Sequence, residues 1–299
     1  MHFLTLSDLP LAAHQRLFDR AAELKARRRR GERDATLAGR TLVLIFEKAS
    51  TRTRLSFEAA IGQLGGQAIA LSPTDSQLSR GETWSDTARV ISGYADAVMV
   101  RTFADERLLE FARASRVPVI NGLTDGGHPV QLLAYLFTVR ERLGSLENRA
   151  VAWVGDGASN MARSWVEAAA IFGFELRICA PAGYRPAAGS LHERARLLET
   201  PRAAAEGADV VTTDVWTSMG QEQQSQQRRQ AFAGYCVDAA LMGQAKPEAI
   251  FLHCLPAHRG EEVTADVLDG PRSAAWDEAE NRMHVQKALL EALILAKAS

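Results

Sequence analysis

Hydrophobic and polar residues alternate along this chain with two different spacings. Short apolar runs of four to six residues are separated by longer stretches in which apolar residues recur at i, i+3 and i+4. The short runs predict strands, and the longer stretches predict helices that bury one face. The predicted strands are residues 41–46, 68–71, 97–100, 117–120, 150–154, 175–179, 209–213, 249–253 and 273–276. Strands that alternate with helices in this way indicate an α/β fold with mainly parallel sheets.

The series of predicted strands divides near the middle of the chain. A helix is predicted to begin at Pro129 and to end just before Gly144, because glycine often follows the last helical residue. A new strand then begins. We therefore expect two doubly wound parallel-sheet domains joined by inter-domain helices, one over residues 1–135 and one over residues 150–282. Residues 283–299 continue an amphipathic helix that is expected to pack back on the first domain.

Composition and charge change this picture little. The 299 residues are 46% hydrophobic and carry a formal net charge of −1, which gives no reason to expect a nucleic-acid or membrane partner. The basic run KARRRRGER (25–33) ends a predicted helix, where arginines complement the helix dipole. A solvated helix end is therefore favoured there over a nucleic-acid site. No apolar stretch reaches the roughly 18–20 residues that cross a bilayer, and no signal peptide is evident.

The chain has three cysteines, Cys179, Cys236 and Cys254, which lie far apart and form no C-x-x-C pair. Neither a disulfide framework nor a zinc cluster follows from this spacing. Free thiols are typical of a reducing compartment, so we expect a cytoplasmic protein.

Polar residues cluster at the ends of six of the predicted strands. The clusters are residues 50–53, 101, 126–131, 155–160, 214–220 and 254–262. In open parallel sheets, ligands bind beyond the carboxyl ends of the strands. Six clusters in this position predict one shared ligand-binding cleft.

The cluster after the first strand is suited to an anion. Ser50 is a good helix cap, and the first turn after it offers free N–H groups and the positive end of the helix dipole. Thr51 and Thr53 add hydroxyl donors. Positions 52 and 54 lie about 200° apart around a helix, so Arg52 is assigned to the anion and Arg54 to a structural ion pair. The alternative is a capped helix with solvated arginines. A Walker-type loop is absent from the sequence, which argues against ordinary ATP binding.

Two more clusters allow both a structural and a functional interpretation. HPVQ (128–131) places His128 and Gln131 at the mouth of a helix, where they can hydrogen-bond a carbonyl or an amide; a capped helix start is the alternative. GDGASN (155–160) resembles half of a dinucleotide fingerprint. However, Asn160 replaces the third glycine, and the next strand lacks the acidic residue that a ribose requires, so a nicotinamide site is disfavoured.

The last two clusters carry a carboxylate and a thiol. Asp214, in DVWTSMG, can hold a substrate ammonium or can simply cap a helix. Cys254 would need a nearby base to act as a covalent nucleophile, but its neighbour His253 should point to the opposite face of the strand. A thiol that contacts substrate is therefore favoured, with a buried, inert cysteine as the alternative.

Together these motifs resemble the aspartate/ornithine carbamoyltransferase family, and its ornithine carbamoyltransferases most closely. FEKASTRTRLSFE is similar to the family's carbamoyl-phosphate motif, HPVQ to its HPxQ motif, DVWTSMG to its ornithine loop and FLHCLPAHRGEEV to its HCLP segment. SRGETWSDTARVIS (79–92) and DEAENRMHVQKALL (277–290) also resemble family stretches. The likeness runs from about residue 1 to the final helix. The HCLP segment and the SMG loop separate this pattern from the aspartate-specific branch of the family.

The resemblance implies transfer of a carbamoyl group from carbamoyl phosphate to the δ-amine of ornithine, with no cofactor or metal. It also implies a carbamoyl-phosphate domain followed by an ornithine domain, in a homotrimer with shared active sites. The implied carbamoyl-phosphate residues are Ser50, Thr51, Arg52, Thr53, Gln77 from a neighbouring subunit, Arg101, His128, Gln131, Cys254, Leu255 and Arg282. The implied ornithine residues are Asn160, Asp214, Ser218 and Met219. The implied catalytic residues are Arg101, His128, Asp214, Cys254 and Arg282.

The sequence departs from the family pattern at two places. Residues 126–127 are both glycine where bulkier residues are common, and GDGASN has one residue more than the usual spacing. A second hypothesis is therefore a non-catalytic homologue that binds carbamoyl phosphate without turnover. The retained Asp214, Cys254 and Arg282 disfavour it. An anabolic and a catabolic role in arginine metabolism both stay open, because the two use the same site chemistry.

Overall fold

A computed structural model describes residues 1–72, 77–217 and 222–296. Its strands are β1 (Thr41–Phe46), β2 (Gln67–Leu71), β3 (Ala97–Arg101), β4 (Val119–Leu123), β5 (Ala150–Val154), β6 (Glu175–Cys179), β7 (Ala195–Leu197), β8 (Val210–Thr213) and β9 (Ile250–His253). Its helices are α1 (Leu11–Arg29), α2 (Thr51–Gln63), α3 (Trp84–Ile91), α4 (Asp105–Ala114), α5 (Pro129–Leu143), α6 (Asn160–Phe172), α7 (Pro201–Ala205), α8 (Ser225–Ala231), α9 (Ala239–Met242), α10 (Ala265–Leu268) and α11 (Ala275–Leu295).

The chain forms two compact units, each built on one parallel sheet. Unit 1 comprises Met1–Leu133 and Asn281–Ser299, and unit 2 comprises Ala134–Glu280. The sheet of unit 1 has the strand order β2-β1-β3-β4, and that of unit 2 has the order β7-β6-β5-β8-β9. Neighbouring strands in both sheets are parallel. The predicted α/β class with parallel sheets is confirmed.

The strand order gives each sheet one point at which successive connections leave in opposite directions. This switch point lies between β1 and β3 in unit 1 and between β5 and β8 in unit 2. Ligands of doubly wound folds bind beyond the carboxyl ends of the strands at such a point. The polar clusters that follow β1, β3, β5 and β8 therefore lie where this topology favours a ligand.

The central strands are apolar because both of their faces are covered. All six residues of β1 and all five of β5 are buried, as expected for parallel strands with helices on each side. The edge strand β2 is only partly buried. The buried faces of β3 and β4 pack with Phe111 and Leu108 of α4, so these side chains fill one side of the core of unit 1.

One sequence-based prediction about secondary structure is wrong, and one strand was not predicted. Residues 273–276 do not form a strand: Ser273 makes only an isolated bridge with Phe251, and α11 begins at Ala275. A four-residue apolar run fits a strand and a helix start equally well, so its periodicity could not decide. Strand β7 was not predicted, because it has only three residues and the central one, Arg196, is exposed.

The final helix also differs from the prediction of an amphipathic helix. Residues 281–291 of α11 are buried around the whole circumference, including His284, Gln286 and Lys287. Burial lowers the pKa of Lys287, and the nearby Arg28 acts in the same direction. The polar residues that suggested an exposed face are thus part of the interior.

The basic run at the end of α1 forms local ion pairs. Arg27 lies 2.8 Å from Asp34, and Arg30 pairs with Glu32. These carboxylates offset part of the positive charge that the sequence concentrates there. Within the described ranges, no helix is both long enough and apolar enough to span a membrane.

Candidate active site

The mouth of α2 has the geometry that its sequence predicts. Ser50 has an extended backbone, and its hydroxyl accepts a hydrogen bond from the Thr53 N–H at 3.3 Å. The helix begins at Thr51, whose side chain is exposed. Free N–H groups and the positive end of the helix dipole are therefore presented beyond the carboxyl end of β1. This arrangement suits a phosphate group.

The two arginines of the first turn have different surroundings. Arg54 is 57% exposed and donates to Glu58, one turn along the helix, at 2.9 Å. Arg52 is half-buried, and among the described residues it has no hydrogen-bond or ion-pair partner. The predicted ion pair of Arg54 is confirmed. The guanidinium of Arg52 stays available for an anion.

A buried hydrogen-bond network surrounds the Thr53 hydroxyl. Arg282, from α11, donates to the Thr53 Oγ1 at 2.8 Å and to the Gln131 Oε1 at 2.6 Å. Arg101, the last residue of β3, also lies within 3.4 Å of Thr53 Oγ1. Because this oxygen accepts from guanidinium groups, its own proton can be donated to a ligand. Two cations thus converge beside the mouth of α2, all within unit 1.

His128 lies next to these cations and is itself buried. Burial lowers the pKa of His128 well below its usual value, and the charges of Arg101 and Arg282 lower it further. The imidazole is therefore neutral at neutral pH. A neutral imidazole has one N–H donor, which it can offer to a carbonyl oxygen without a change in its own charge.

Unit 2 carries a carboxyl group and a thiol at the ends of β8 and β9. Asp214 is half-buried; its Oδ1 accepts from the Val215 N–H at 2.8 Å and from the Cys254 thiol at 3.1 Å. Burial raises the pKa of Asp214 above its usual value, although the nearby His253 and the thiol act in the opposite direction. Burial and the negative Asp214 raise the pKa of Cys254 well above that of an ordinary thiol. The thiol is therefore a hydrogen-bond donor rather than a nucleophile.

His253 is oriented as the strand geometry predicts. It is completely buried, and its Nε2 lies 3.2 Å from the Oε1 of Glu262, which is also completely buried. Its Nδ1 accepts from the backbone N–H of Leu255 at 2.9 Å. The Leu255 N–H thus occupies Nδ1, whereas Nε2 lies beside the Glu262 carboxylate without a hydrogen bond.

The sequence interpretation missed Tyr135 as a neighbour of this pair. The Tyr135 ring stacks on Trp165, with ring centroids 5.3 Å apart. Burial and the neighbouring Cys254 raise the pKa of the Tyr135 hydroxyl well above its usual value. In the sequence, Tyr135 stands out as a hydroxyl within the apolar run LLAYLF (132–137). That run predicts the buried face of a helix, so the hydroxyl gave little reason to place Tyr135 near the site.

The other predicted site residues have these positions. Asn160 is the first residue of α6 and is half-buried. Leu255 has a left-handed backbone, with φ 55°. Gln77 is exposed at the start of a short 3-10 turn over Gln77–Arg80. Ser218 and Met219 lie outside the described residues.

Three of the six polar clusters lie in each unit. Residues 50–53, 101 and 126–131 belong to unit 1, and the clusters that follow β5, β8 and β9 belong to unit 2. Within its own unit, the structure joins Thr53, Arg101, Gln131 and Arg282 in one network and Asp214 with Cys254 in another. The single shared cleft stays a prediction.

One group in the described part of the chain has the side chains to hold a metal ion. The ligand atoms of His258, Glu261 and Glu262 lie within 4.8 Å of one another. However, Glu261 pairs with Arg229 at 2.8 Å, and Glu262 accepts from the His258 backbone at 2.6 Å. These contacts give both carboxylates a structural role without an ion.

Comparison with family models covers nearly the whole chain. The carbamoyl-P binding domain of aspartate/ornithine carbamoyltransferase matches residues 1–141, and the Asp/Orn binding domain matches residues 147–293. An ornithine carbamoyltransferase from Halorhodospira halophila is 56% identical over 98% of this chain and 99% of its own length. One from Paracidovorax citrulli is 52% identical over 99% of this chain and 97% of its own.

Solved structures show the same relationship. The ornithine carbamoyltransferase from Burkholderia thailandensis is 48% identical, with a TM-score of 0.91 over 98% of both chains. The enzyme from Pyrococcus furiosus is 44% identical, with a TM-score of 0.92 over 99% of this chain and 97% of its own. The anabolic enzyme from Campylobacter jejuni is 41% identical, with a TM-score of 0.90 over 99% of both chains. The prediction of an ornithine-type carbamoyltransferase is confirmed, and the chain belongs to the aspartate/ornithine carbamoyltransferase family.

Proposed function

We propose that this chain transfers the carbamoyl group of carbamoyl phosphate to the δ-amine of L-ornithine, which gives L-citrulline and phosphate. The observation that carries the proposal is the convergence of Arg282 and Arg101 on Thr53, beside the capped mouth of α2 and a neutral His128. A site of this kind suits a ligand with a dianionic phosphate and a polar carbonyl. The names of the relatives support ornithine as the acceptor.

The phosphate is assigned to unit 1. The mouth of α2 supplies Ser50, Thr51, Arg52 and Thr53, and Arg282 adds a second guanidinium from α11. Charge-assisted hydrogen bonds from these groups are stronger than neutral ones, so they stabilise the phosphate as it leaves. On this basis the carbamoyl-phosphate domain is residues 1–135 together with the C-terminal helix, and the ornithine domain is residues 150–282.

The carbonyl oxygen of the carbamoyl group is assigned to Arg101 and His128, with Gln131 placed to bind the amide. Negative charge develops on this oxygen when the amine attacks. Donors that are already oriented stabilise that charge without reorganisation, and the loss of one such donor typically costs about 2.7–4 kcal/mol. The neutral state of His128 lets it serve as a donor throughout the reaction.

The amino-acid substrate is assigned to unit 2. An amine of pKa about 10 is mostly protonated at neutral pH, and only its neutral form attacks the carbamoyl carbon. The carboxyl of Asp214 can hold the ammonium and then accept its proton, since its raised pKa makes it a better base. Asn160, Ser218 and Met219 are assigned to the amino-acid end of ornithine. Cys254 donates to Asp214, and Leu255 lies beside it, near the reacting groups.

This reaction is a displacement between two bound substrates. The amine forms a bond to the carbamoyl carbon, and the bond from that carbon to the phosphate oxygen breaks. The proton that the nitrogen then loses passes to the departing phosphate. Positioning both substrates supplies a large part of the acceleration. The reaction as proposed uses neither a metal ion nor a cofactor, and no protein nucleophile takes part.

We also propose a homotrimer in which a neighbouring subunit contributes Gln77. The edge strand β2 has only one neighbouring strand, and its Ile69 is 46% exposed. Leu55 and Tyr94 of the same unit are 59% and 73% exposed. Exposed apolar residues and an open sheet edge are common where another subunit binds. A sedimentation-equilibrium mass of about three chains would support this assembly, and a monomer would refute it.

A cytoplasmic location and a role in arginine metabolism complete the proposal. No two of the cysteines Cys179, Cys236 and Cys254 are joined in a disulfide, which fits a reducing compartment. The relative from Campylobacter jejuni is described as anabolic, which favours arginine synthesis.

The decisive experiment is a colorimetric assay of carbamoylated product with carbamoyl phosphate and one acceptor at a time. Ornithine, N-acetylornithine and aspartate are compared at equal concentrations. The proposal expects citrulline from ornithine and little product from the other two acceptors. Turnover with N-acetylornithine or aspartate but not with ornithine would assign a different acceptor. Tight binding of a phosphonate analogue of carbamoyl phosphate without any product would instead identify a non-catalytic homologue.

A further inference from the structure

One buried hydroxyl in unit 2 has no part in the reaction as described above. Tyr135 lies in the segment of α5 that belongs to unit 2, and its side chain is completely buried. Within the ranges that the structure describes, its hydroxyl has no hydrogen-bond partner. A buried hydroxyl without a partner costs free energy, and in a native protein such a group usually has a functional reason.

The ring of Tyr135 is held in one orientation by its aromatic neighbours. It stacks on Trp165 with ring centroids 5.3 Å apart, and Trp165 in turn makes an edge contact with Phe174 at 5.7 Å. All three side chains are completely buried. The hydroxyl therefore cannot turn to solvent, and any partner must come from the groups beside it.

The group beside this hydroxyl is the Cys254 thiol. Each of the two groups shifts the pKa of the other, because they are in close contact. The thiol proton is directed away from Tyr135, since it is donated to the Oδ1 of Asp214 at 3.1 Å. The thiol thus has a partner, whereas the hydroxyl next to it has none among the described residues.

The acceptor of the thiol is also the group assigned to the substrate amine. The Oδ1 of Asp214 already accepts from two donors, the Cys254 thiol and the Val215 N–H at 2.8 Å. A thiol is a weak donor, whereas a hydrogen bond from an ammonium to a carboxylate is about twice as strong as a neutral one. An ammonium that binds Asp214 therefore displaces the thiol more readily than the backbone N–H. The displaced thiol needs another acceptor, and the hydroxyl of Tyr135 lies beside it.

We propose that Tyr135 is a positioning residue whose hydroxyl accepts the Cys254 thiol when the substrate amine binds Asp214. Before the amine binds, the thiol occupies the carboxyl group and the hydroxyl is unpaired. After this exchange of partners, the amine donates to Asp214 and the thiol donates to Tyr135, so each donor keeps an acceptor. The exchange also favours binding, because the cost of the unpaired hydroxyl is removed when the amine arrives. The inference rests on the proposed function for the identity of the amine.

Tyr135→Phe removes the hydroxyl and keeps the ring. The stack on Trp165 is retained and an unpaired buried polar group disappears, so the midpoint of thermal unfolding should equal or exceed that of the wild type. The affinity for ornithine should nevertheless fall, because the displaced thiol loses the acceptor that Tyr135 supplies. Tyr235→Phe is the matched control: it removes the hydroxyl of another tyrosine of unit 2, one that is partly buried, and it should leave the ornithine affinity unchanged.

The first measurement needs no turnover. Ornithine is titrated into the chain saturated with a phosphonate analogue of carbamoyl phosphate. Because a thiol is a weak donor, its lost acceptor should lower the ornithine affinity of Tyr135→Phe about five- to tenfold, and the affinity for the phosphonate alone should not change. L-Norvaline, which has the carbon chain of ornithine without the δ-amine, should bind the variant and the wild type equally. An unchanged ornithine affinity, or an equal loss for norvaline, would overturn the proposal.

A double-mutant cycle tests whether the hydroxyl acts through the thiol. In Cys254→Ala, no thiol has to leave Asp214. Adding Tyr135→Phe to this background should therefore change the ornithine affinity by less than about twofold. If the loss is as large as in the chain that keeps its thiol, Tyr135 acts on the substrate by another route and the exchange is refuted.

The infrared S–H stretching band reports the partner of the thiol directly. Cys254→Ala identifies the band of Cys254 by difference, and the free thiols of Cys179 and Cys236 give the internal reference. With the phosphonate bound, ornithine should shift the Cys254 band of the wild type, and the new position should differ in Tyr135→Phe. A band that stays in place in the wild type, or shifts identically in both proteins, would show that the thiol does not turn to Tyr135. If the band shifts as expected but the wild type makes no citrulline, the proposed function fails and the exchange holds.

Discussion

The clearest prediction concerns the two arginines that open α2. Arg52→Ala and Arg54→Ala remove the same side chain two positions apart, about 200° around the helix. Arg54 already has a partner, since it donates to Glu58 at 2.9 Å. Arg52 is half-buried and, in the part of the chain that the structure describes, has no such partner. If the phosphate lies at the mouth of α2, only Arg52→Ala should weaken its binding strongly.

The expected magnitude follows from the bonds that each side chain can make. A planar guanidinium makes two hydrogen bonds to a phosphate, and a hydrogen bond to a charged group is worth about 1.5–3 kcal/mol. Arg52→Ala should then cost about 3–6 kcal/mol, but its half-buried position favours the lower end, a loss of roughly 100-fold in affinity. The pair of Arg54 and Glu58 is exposed and one turn apart, so its loss should cost only about 0.3–0.5 kcal/mol of stability.

The assay is equilibrium titration of a phosphonate analogue of carbamoyl phosphate, followed by calorimetry. Thermal unfolding of each variant first establishes that equal fractions are folded. Arg52→Lys adds a third point, because it keeps the charge but loses the planar fork, and its affinity should fall between those of the wild type and Arg52→Ala. Equal losses for Arg52→Ala and Arg54→Ala would place the anion elsewhere and refute the assignment.

Three further predictions test the rest of the site. Thr53→Val removes the oxygen that accepts from Arg282 at 2.8 Å, so affinity for the phosphonate should fall about 10- to 100-fold. Thr53→Ser keeps this oxygen and should retain most of the affinity. An unchanged affinity in Thr53→Val would contradict a role of the hydrogen-bond network in phosphate binding. Burial raises the pKa of Asp214 in the folded chain. As the pH rises, Asp214 therefore ionises at a lower pH in the unfolded chain than in the folded one, and this lowers the free energy of unfolding. The loss of stability is absent in acid and reaches its full size above the raised pKa. Asp214→Asn should therefore raise the midpoint of thermal unfolding at about pH 8 but not at about pH 3, and citrulline formation should fall. If the midpoints of the variant and the wild type differ by the same amount at both pH values, the pKa of Asp214 is not raised. Cys254→Ser should keep measurable turnover, because a hydroxyl can still donate to Asp214, and mass spectrometry of the wild type during turnover should show no carbamoyl-cysteine.

The parts of the site that the sequence predicted are those built from neighbours in the chain. A polar cluster between an apolar run and a helical pattern predicts the cap at Ser50, because the capping bond spans three residues. The separation of Arg52 from Arg54 follows from helix geometry alone. The helix over Pro129–Leu143 was predicted from a proline at its start and a glycine beyond its end, and Gly144 adopts φ 83°.

The parts that the residues alone could not predict depend on contacts between distant segments. Arg282 reaches Thr53 across 229 positions of the sequence, and only the family resemblance brought it into the site. The buried polar residues of α11 read as an exposed face, because periodicity shows polarity but not what packs against it. His253 was correctly placed away from Cys254, yet its partner Glu262 lies nine residues on and belongs to no local pattern.

The electrostatics of the two units have one property in common. In unit 1, burial and two arginines lower the pKa of His128, and in unit 2 burial raises the pKa of both Asp214 and Cys254. All three shifts favour the uncharged form of the group, although the groups are a base, an acid and a thiol. The neutral His128 and the Cys254 thiol can therefore donate hydrogen bonds without adding charge to the site of their own unit. A neutral amine is the only form of ornithine that attacks, and the raised pKa of Asp214 makes its carboxylate a better acceptor for the amine proton. The permanent positive charge is supplied by the arginines, which stay protonated even when they are buried.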